Sequence, residues 1–497
     1  MGQAPSTPDA SPLEGTDERE VRAVWLHEPN LASMLSRKMM LVQPSWLPSG
    51  KTSRTSQADA DTAIVETGIL EGAFRSGSAV TMPGMTGIHQ IQLPNGLWLV
   101  AEPIAEAQSL AMTLLVPTGS STEPEDQQGV GSMLAEMICR GAGGLDARAH
   151  SDALDELGIQ RETDVWSIHL TLDAIMIASK LDDAFPLLAN MVYRPRLEAS
   201  TLQPSRDLVL QALDALEDEP QERVLIDLRQ RHLPSPFGRC HLGRRDHVES
   251  IELEQVRTHW AQRCTPDGAV LAFAGRFDFQ QLRDLVEAKL GHWAGRNRDE
   301  ITGGNPERGY VHREADSAQV HIGIAYDAVP EPDEQSVFQQ AAQVILSGGS
   351  STRLFSEVRE KRGLCYAVYA AYVRDRDRGM MLSYAGTTAP RAQETLDVLV
   401  QELRRLSEGI EEDEFERAMV GMKSRLVMQG ESTSARARAI AMDQHVMGRP
   451  RGLAELAARI DGITVNRLRD FAAEHPPGRL TIVTIGPSPL QVNACTS

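Results

Sequence analysis

Sustained hydrophobic patterning begins at Ile88. The run HQIQLPNGLWLVAEP sets two apolar stretches on either side of Pro94-Asn95-Gly96, and an Asn-Gly pair supplies the positive φ angles of a tight turn, which predicts a hairpin. Residues 110–116 predict a third strand. Val130, Met133, Leu134, Met137 and Ile138 then recur at the spacing of one helix face, with Gly141 placed to end the helix. Trp166, Ile168, Leu170 and Leu172 alternate with Ser167, His169 and Thr171, the period of a half-buried strand. Helical periods follow through 180–192, 204–216 and 221–231. Residues 1–85 carry little sustained period beyond an apolar patch at 21–26, and read as a partly disordered extension.

The pattern also repeats. Ile251, Val256-Arg257 and Pro266-Asp267-Gly268 lead into an apolar run ending at Gly275. Ile463, Leu468-Arg469 and Pro477-Gly478 lead into another ending at Gly486, 211 residues later. That period is too long for a solenoid unit and suits a duplicated domain. The polar stretch 295–309 is the natural linker. The division is therefore an extension at 1–85, one α+β domain at 86–297, a linker at 298–309 and a related domain at 310–497.

A length of 497 residues agrees with more than one domain. The net charge of −19 argues against nucleic acid and against an anionic membrane surface, because both select for Lys and Arg. No run reaches the ~18 apolar residues of a spanning helix. The N-terminus lacks the basic and apolar regions of a secretory signal; its Met-Gly-x-x-x-Ser start matches a myristoylation pattern that is short and common. Five scattered cysteines, none in C-x-x-C spacing, read as thiols of a reducing compartment, with the cytoplasm as default.

Three segments carry a resemblance. They are 129–141 (GVGSMLAEMICRG), 235–244 (SPFGRCHLGR) and 348–366 (GGSSTRLFSEVREKRGLCY). Over roughly 400 residues the chain resembles the pitrilysin/insulinase family of zinc peptidases, the inverzincins, whose motif is H-x-x-E-H. The resemblance implies an α+β fold of two homologous mixed-sheet and helix domains, of the metallopeptidase clamshell type. In active members the zinc helix supplies two His at i and i+4 with a Glu base before the second. Here those positions are Ser132, Ala135 and Glu136, and the family's third ligand, a Glu in a helix resembling 206–214, falls on Ala212. Catalytic zinc needs three protein ligands and an open water position, so this chain is expected to hold no metal. No histidine pair stands at i, i+3 or i, i+4, and the nearest pair, His241 and His247, flanks the 235–244 loop. Glu136 reads as an exposed helix charge.

The resemblance also implies a substrate-binding pair. An Arg and a Tyr seven residues apart reach toward the zinc-bound peptide in the family, and they map onto Arg359 and Tyr366. A guanidinium donates planar hydrogen bonds to a carbonyl, and a phenol donates to an oxyanion. A helix over 351–362, capped by Ser350 or Ser351 and ended by Gly363, would put Arg359 in its last turn. Glu357, Arg359, Glu360, Lys361 and Arg362 also fit a solvated helix end with i, i+4 pairs.

Three functions follow. One is the zinc-free subunit of a heterodimeric zinc peptidase, paired with a homologous chain that carries H-x-x-E-H and the zinc and cleaves peptide substrates. Another is a catalytically inactive scaffold. The third is an autonomous hydrolase with non-standard ligands.

Overall fold

The computed structural model describes residues 87–296 and 301–492. The extension expected over 1–85, with its apolar patch, lies outside the described residues. β1 (His89–Gln92) and β2 (Trp98–Pro103) pair antiparallel across the Asn95-Gly96 turn, the predicted hairpin, although of the pair only Gly96 takes a positive φ, +96. β3 (Ser109–Val116) follows. The alternation at 166–172 is only partly strand: β5 (Leu170–Ile177) starts at Leu170, and 166–169 is the loop that joins it to β4 (Gln160–Val165), whose polar sequence QRETDV gave no signal. β6 (Val270–Gly275) completes a six-stranded sheet in the order β1-β2-β6-β3-β5-β4.

The second sheet is built from β7 (Tyr310–Glu314), β8 (Gln319–Ala328), β9 (Cys365–Arg374), β10 (Gly379–Thr388) and β11 (Thr481–Gly486), in the order β7-β11-β8-β10-β9. Set β1 aside and the two orders coincide strand for strand. Each has one parallel pair, β2 with β6 and β7 with β11, and is otherwise antiparallel. Both glycines of the sequence repeat end the corresponding strands, β6 and β11. The two halves are homologous α+β units.

Helices α1 (Val130–Ile138), α2 (Ala147–Glu156), α3 (Leu181–Tyr193), α4 (Ala199–Glu217), α5 (Pro220–His232), α6 (Arg245–Ser250), α7 (Leu253–Arg263) and α8 (Phe279–Leu290) belong to the first half. The second half adds α9 (Ser336–Leu346), α10 (Ala392–Arg405), α11 (Glu412–Glu431), α12 (Thr433–Met447), α13 (Leu453–Asp461) and α14 (Val465–Glu474). The expected helices at 180–192, 204–216 and 221–231 correspond to α3, α4 and α5.

β3 and β6 read as continuous apolar runs because both faces of the first sheet are covered. On one face Leu99, Leu114 and Phe273 pack with Met133, Leu134 and Phe185. On the other, Val100, Leu115 and Ala272 meet Ile440 and Ala441, while Ala111 and Ala274 meet Ala437. Those last residues belong to α12, a helix of the second half. The exchange is reciprocal: α5 of the first half lies on β8 and β11, where a Cβ on Gly323 would come within 3.2 Å of Leu228. Polar contacts follow the seam. Buried Arg436 pairs with buried Glu102 at 2.8 Å, Arg438 with Asp173 at 2.8 Å, and His232 Nδ1 lies 3.0 Å from Thr481 Oγ1. Among the described residues no helix is long and apolar enough to cross a membrane.

Candidate functional site

The apolar stripe of α1, from Val130 to Ile138, is fully buried, which fixes the remaining positions of the helix. Its N-terminus has no local side-chain cap. Glu123, six residues upstream, reaches in: its two carboxyl oxygens accept the backbone N–H groups of Gly129 and Gly131, each at 2.9 Å. Sequence reasoning misses Glu123 because it lies outside the capping-box spacing. Burial dominates its ionisation and pushes the carboxyl up to about 8, against the pull of those two N–H groups.

The 235–244 loop is latched onto this helix start. Ser132 Oγ donates to the His241 carbonyl at 2.6 Å, and Arg239 donates to the Glu123 carbonyl at 2.7 Å. Gly243 has φ +78, and a Cβ there would stand 2.3 Å from the Gly129 Cα, so only glycine allows the approach. His247 Nδ1 accepts from the Gln128 N–H at 3.2 Å.

The four positions matched to the family's zinc site thus lie on α1 and on α4, which packs against it. Their donors do not suit zinc. The Ser132 hydroxyl is engaged with a carbonyl, Ala135 and Ala212 offer no ligand, and Glu136 is a single carboxylate, half-buried rather than exposed as expected. Among the described residues no three His, Cys, Asp or Glu side chains converge to hold a metal.

The 348–366 segment departs from expectation in its backbone. Phe355–Glu360 is a π-helical turn, not the end of an α-helix over 351–362. Both ends are pinned. Arg353 is buried, with Nε and Nη2 on the Glu414 carboxylate at 2.8 and 2.7 Å and Nη2 also on the Gly409 carbonyl at 2.7 Å; Gly363, at φ +59, closes the other end as predicted. Between these ends the Lys361 N–H reaches back five residues to the Ser356 carbonyl at 2.9 Å, the bond of a π turn. Neither Ser350 nor Ser351 caps the turn; the Thr352 hydroxyl folds back onto the Gly349 carbonyl at 2.7 Å.

This geometry divides the charge cluster. Lys361 and Arg362 both turn to Glu357 at 2.6 Å, and their hydrogen bonds hold its carboxyl below the usual range. Arg359 turns the other way, its guanidinium 4.7 Å from the ring centre of Phe355 and 5.3 Å from that of Tyr366. Tyr366, at the start of β9, is 84% exposed. The structure therefore brings Arg359 and Tyr366 into contact. The neighbouring Cys365 thiol is pushed up to about 11 by burial, which leaves it a poor nucleophile.

Two sheets of one topology, with a latched helix on the first and a half-buried Arg359 against an exposed Tyr366 on the second, define a two-domain peptidase-type fold. A family model described as "Insulinase (Peptidase family M16)" matches residues 99–236, and one described as "Peptidase M16 inactive domain" matches 250–421. The chain belongs to this pitrilysin/insulinase family of peptidases. An uncharacterized zinc protease of Mycobacterium tuberculosis is 28% identical over 409 residues, 80% of this chain and 92% of that protein. Among solved structures, a peptidase M16 inactive domain from Pseudomonas fluorescens superposes with TM-score 0.74 at 21% identity, over 82% of this chain and 99% of that one. A chain of complex III2 from Candida albicans gives 0.70 at 21% identity, over 81% and 96%. At these identities the structures speak for the fold.

Proposed function

We propose that this chain is the zinc-free subunit of a two-chain peptidase, lending Arg359 and Tyr366 to a peptide held at the zinc of a homologous partner with an intact H-x-x-E-H. The contact between Arg359 and the exposed Tyr366 carries the reading. The ring face holds the guanidinium without consuming its N–H donors, which remain available for a peptide carbonyl, while the phenol hydroxyl is available for an oxyanion. At the α1 end, Ser132 stabilises a loop rather than a metal. The reaction chemistry then belongs to the partner, and this chain positions the substrate.

The test is reconstitution. The chain and a homologue carrying an intact H-x-x-E-H are purified separately, then mixed, and hydrolysis of a peptide library is followed. The expected result is turnover in the mixture and none from this chain alone. Assembly without any gain in turnover would favour a scaffold role.

A further inference from the structure

Loop 166–169 is where the first half meets the tip of the β9–β10 hairpin and the last turn of α12. The His169 ring stands edge-on to the His445 ring, with centroids 4.2 Å apart. His169 is 4% exposed, and its Nε2 has no hydrogen-bond partner among the described residues. His445 Nε2 lies 3.7 Å from Asp375 Oδ1. Arg376, beside Asp375 at the tip, donates to the His445 carbonyl. Arg378 covers the Phe237 ring at 3.5 Å, and Arg438 of α12 lies 5.7 Å from the Trp166 ring.

The charged groups facing His169 are therefore His445 from α12 and Asp375 and Arg376 from the hairpin tip. Burial, His445 and Arg376 disfavour an imidazolium there, and together they outweigh Asp375, so His169 is held neutral well below the usual range. At Asp375 burial works the other way, yet the hydrogen bond from His445 and the Arg376 N–H hold the carboxyl down at about 2, so the carboxylate is present throughout. Two imidazolium rings with centroids 4.2 Å apart would repel, so the closed contact itself opposes a proton on His169.

We propose that this seam is an acid-sensitive latch: His169 takes a proton only by leaving its contact with His445, so acidification parts loop 166–169 from the last turn of α12. A solvated imidazole titrates near about 6.5 and the closed one well below. In that window the open state binds more protons, so opening is suppressed above about pH 6.5 and rises as the pH falls, by up to about tenfold per pH unit for one proton. The loop also holds other structure. The N–H groups of Gly119, Ser120 and Ser121 donate to the carbonyls of Ile168, Trp166 and Ser167 at 2.9, 2.9 and 2.8 Å, and this segment leads directly to Glu123. β9 runs from the hairpin tip back to Tyr366. The latch thus touches the supports of both candidate sites without belonging to either.

Hydrogen exchange at Gly119, Ser120 and Ser121, corrected for intrinsic exchange rates, is measured from pH 7 to pH 5 in the full chain and in His169→Gln. Protection falling by up to about tenfold per unit in the wild type and staying flat in the variant is the expected result. The same fall in both would overturn the proposal. Since His169→Gln could itself disturb folding, a second measurement uses the wild type alone, with the imidazoles labelled for NMR. The His169 resonance should stay that of a neutral imidazole while the protection falls; titration near pH 6.5 with those amides still protected would overturn the latch.

Discussion

Arg359 lies over the ring of Tyr366, 5.3 Å from its centre, while its sequence neighbours Lys361 and Arg362 both bind Glu357. A residue that the sequence groups with a solvated charge cluster is set apart from it by the π turn. This separation makes the pair testable.

In the mixed complex, Tyr366→Phe removes only a hydroxyl and Arg359→Lys keeps the charge but loses the planar fork. Either should lower turnover by ~10²–10³-fold, the usual consequence of losing a preorganised donor, with assembly unaffected. Steady-state kinetics beside size-exclusion chromatography check this. Unchanged turnover in both variants would remove the pair from the mechanism.

Elemental analysis of the purified chain should find no stoichiometric zinc, because Ser132, Ala135, Glu136 and Ala212 supply one carboxylate among them. One tightly held zinc per chain would contradict the donor argument directly.

Glu123 predicts a pH dependence of opposite sense to the latch. Its folded carboxyl is raised to about 8 from an ordinary value of 4.5, so the folded state binds more protons between those values. Its contribution is full below about pH 4.5 and is lost as the pH rises through 8. Between pH 6 and 8 the wild type should lose ~2–3 kcal/mol that Glu123→Gln does not, at a slope of about 1.4 kcal/mol per unit. Urea unfolding at the two pH values measures the difference.

Glu102 and Arg436 are both buried, and each loses its charge partner if the other is cut back. Glu102→Ala should cost ~3–5 kcal/mol, whereas Glu102→Leu combined with Arg436→Met should cost much less than two such losses, since it leaves no unpaired charge. Equilibrium unfolding of the singles and the double decides it; additive losses would mean the pair itself supplies the stability.

What the sequence reveals here depends on how local the cause is. Asn95-Gly96 specifies its hairpin within four residues, and the α1 stripe is legible because one face is buried throughout. The repeat at Gly275 and Gly486 announces two equivalent sheets, which the matching strand orders realise. Missed features have distant causes. Glu123 caps a helix from across a loop, and the π turn starts just past Arg353, whose guanidinium is held by Glu414 of a distant helix. Trp166 and Ile168 alternate like a strand, yet they lie in the loop at the seam. The contact of Arg359 with Tyr366 joins residues whose spacing was visible and whose geometry was not.

The exchanged helices impose an order on synthesis. The six strands of the first sheet are complete once Gly275 has been made, but the face bearing Val100, Leu115 and Ala272 stays bare until α12 emerges with Met447. During that interval a nascent or truncated chain displays an apolar sheet surface, a hazard for association with other chains. A gene cut at the linker should therefore give two sticky fragments that recover solubility only when made together, each supplying the other's missing helix.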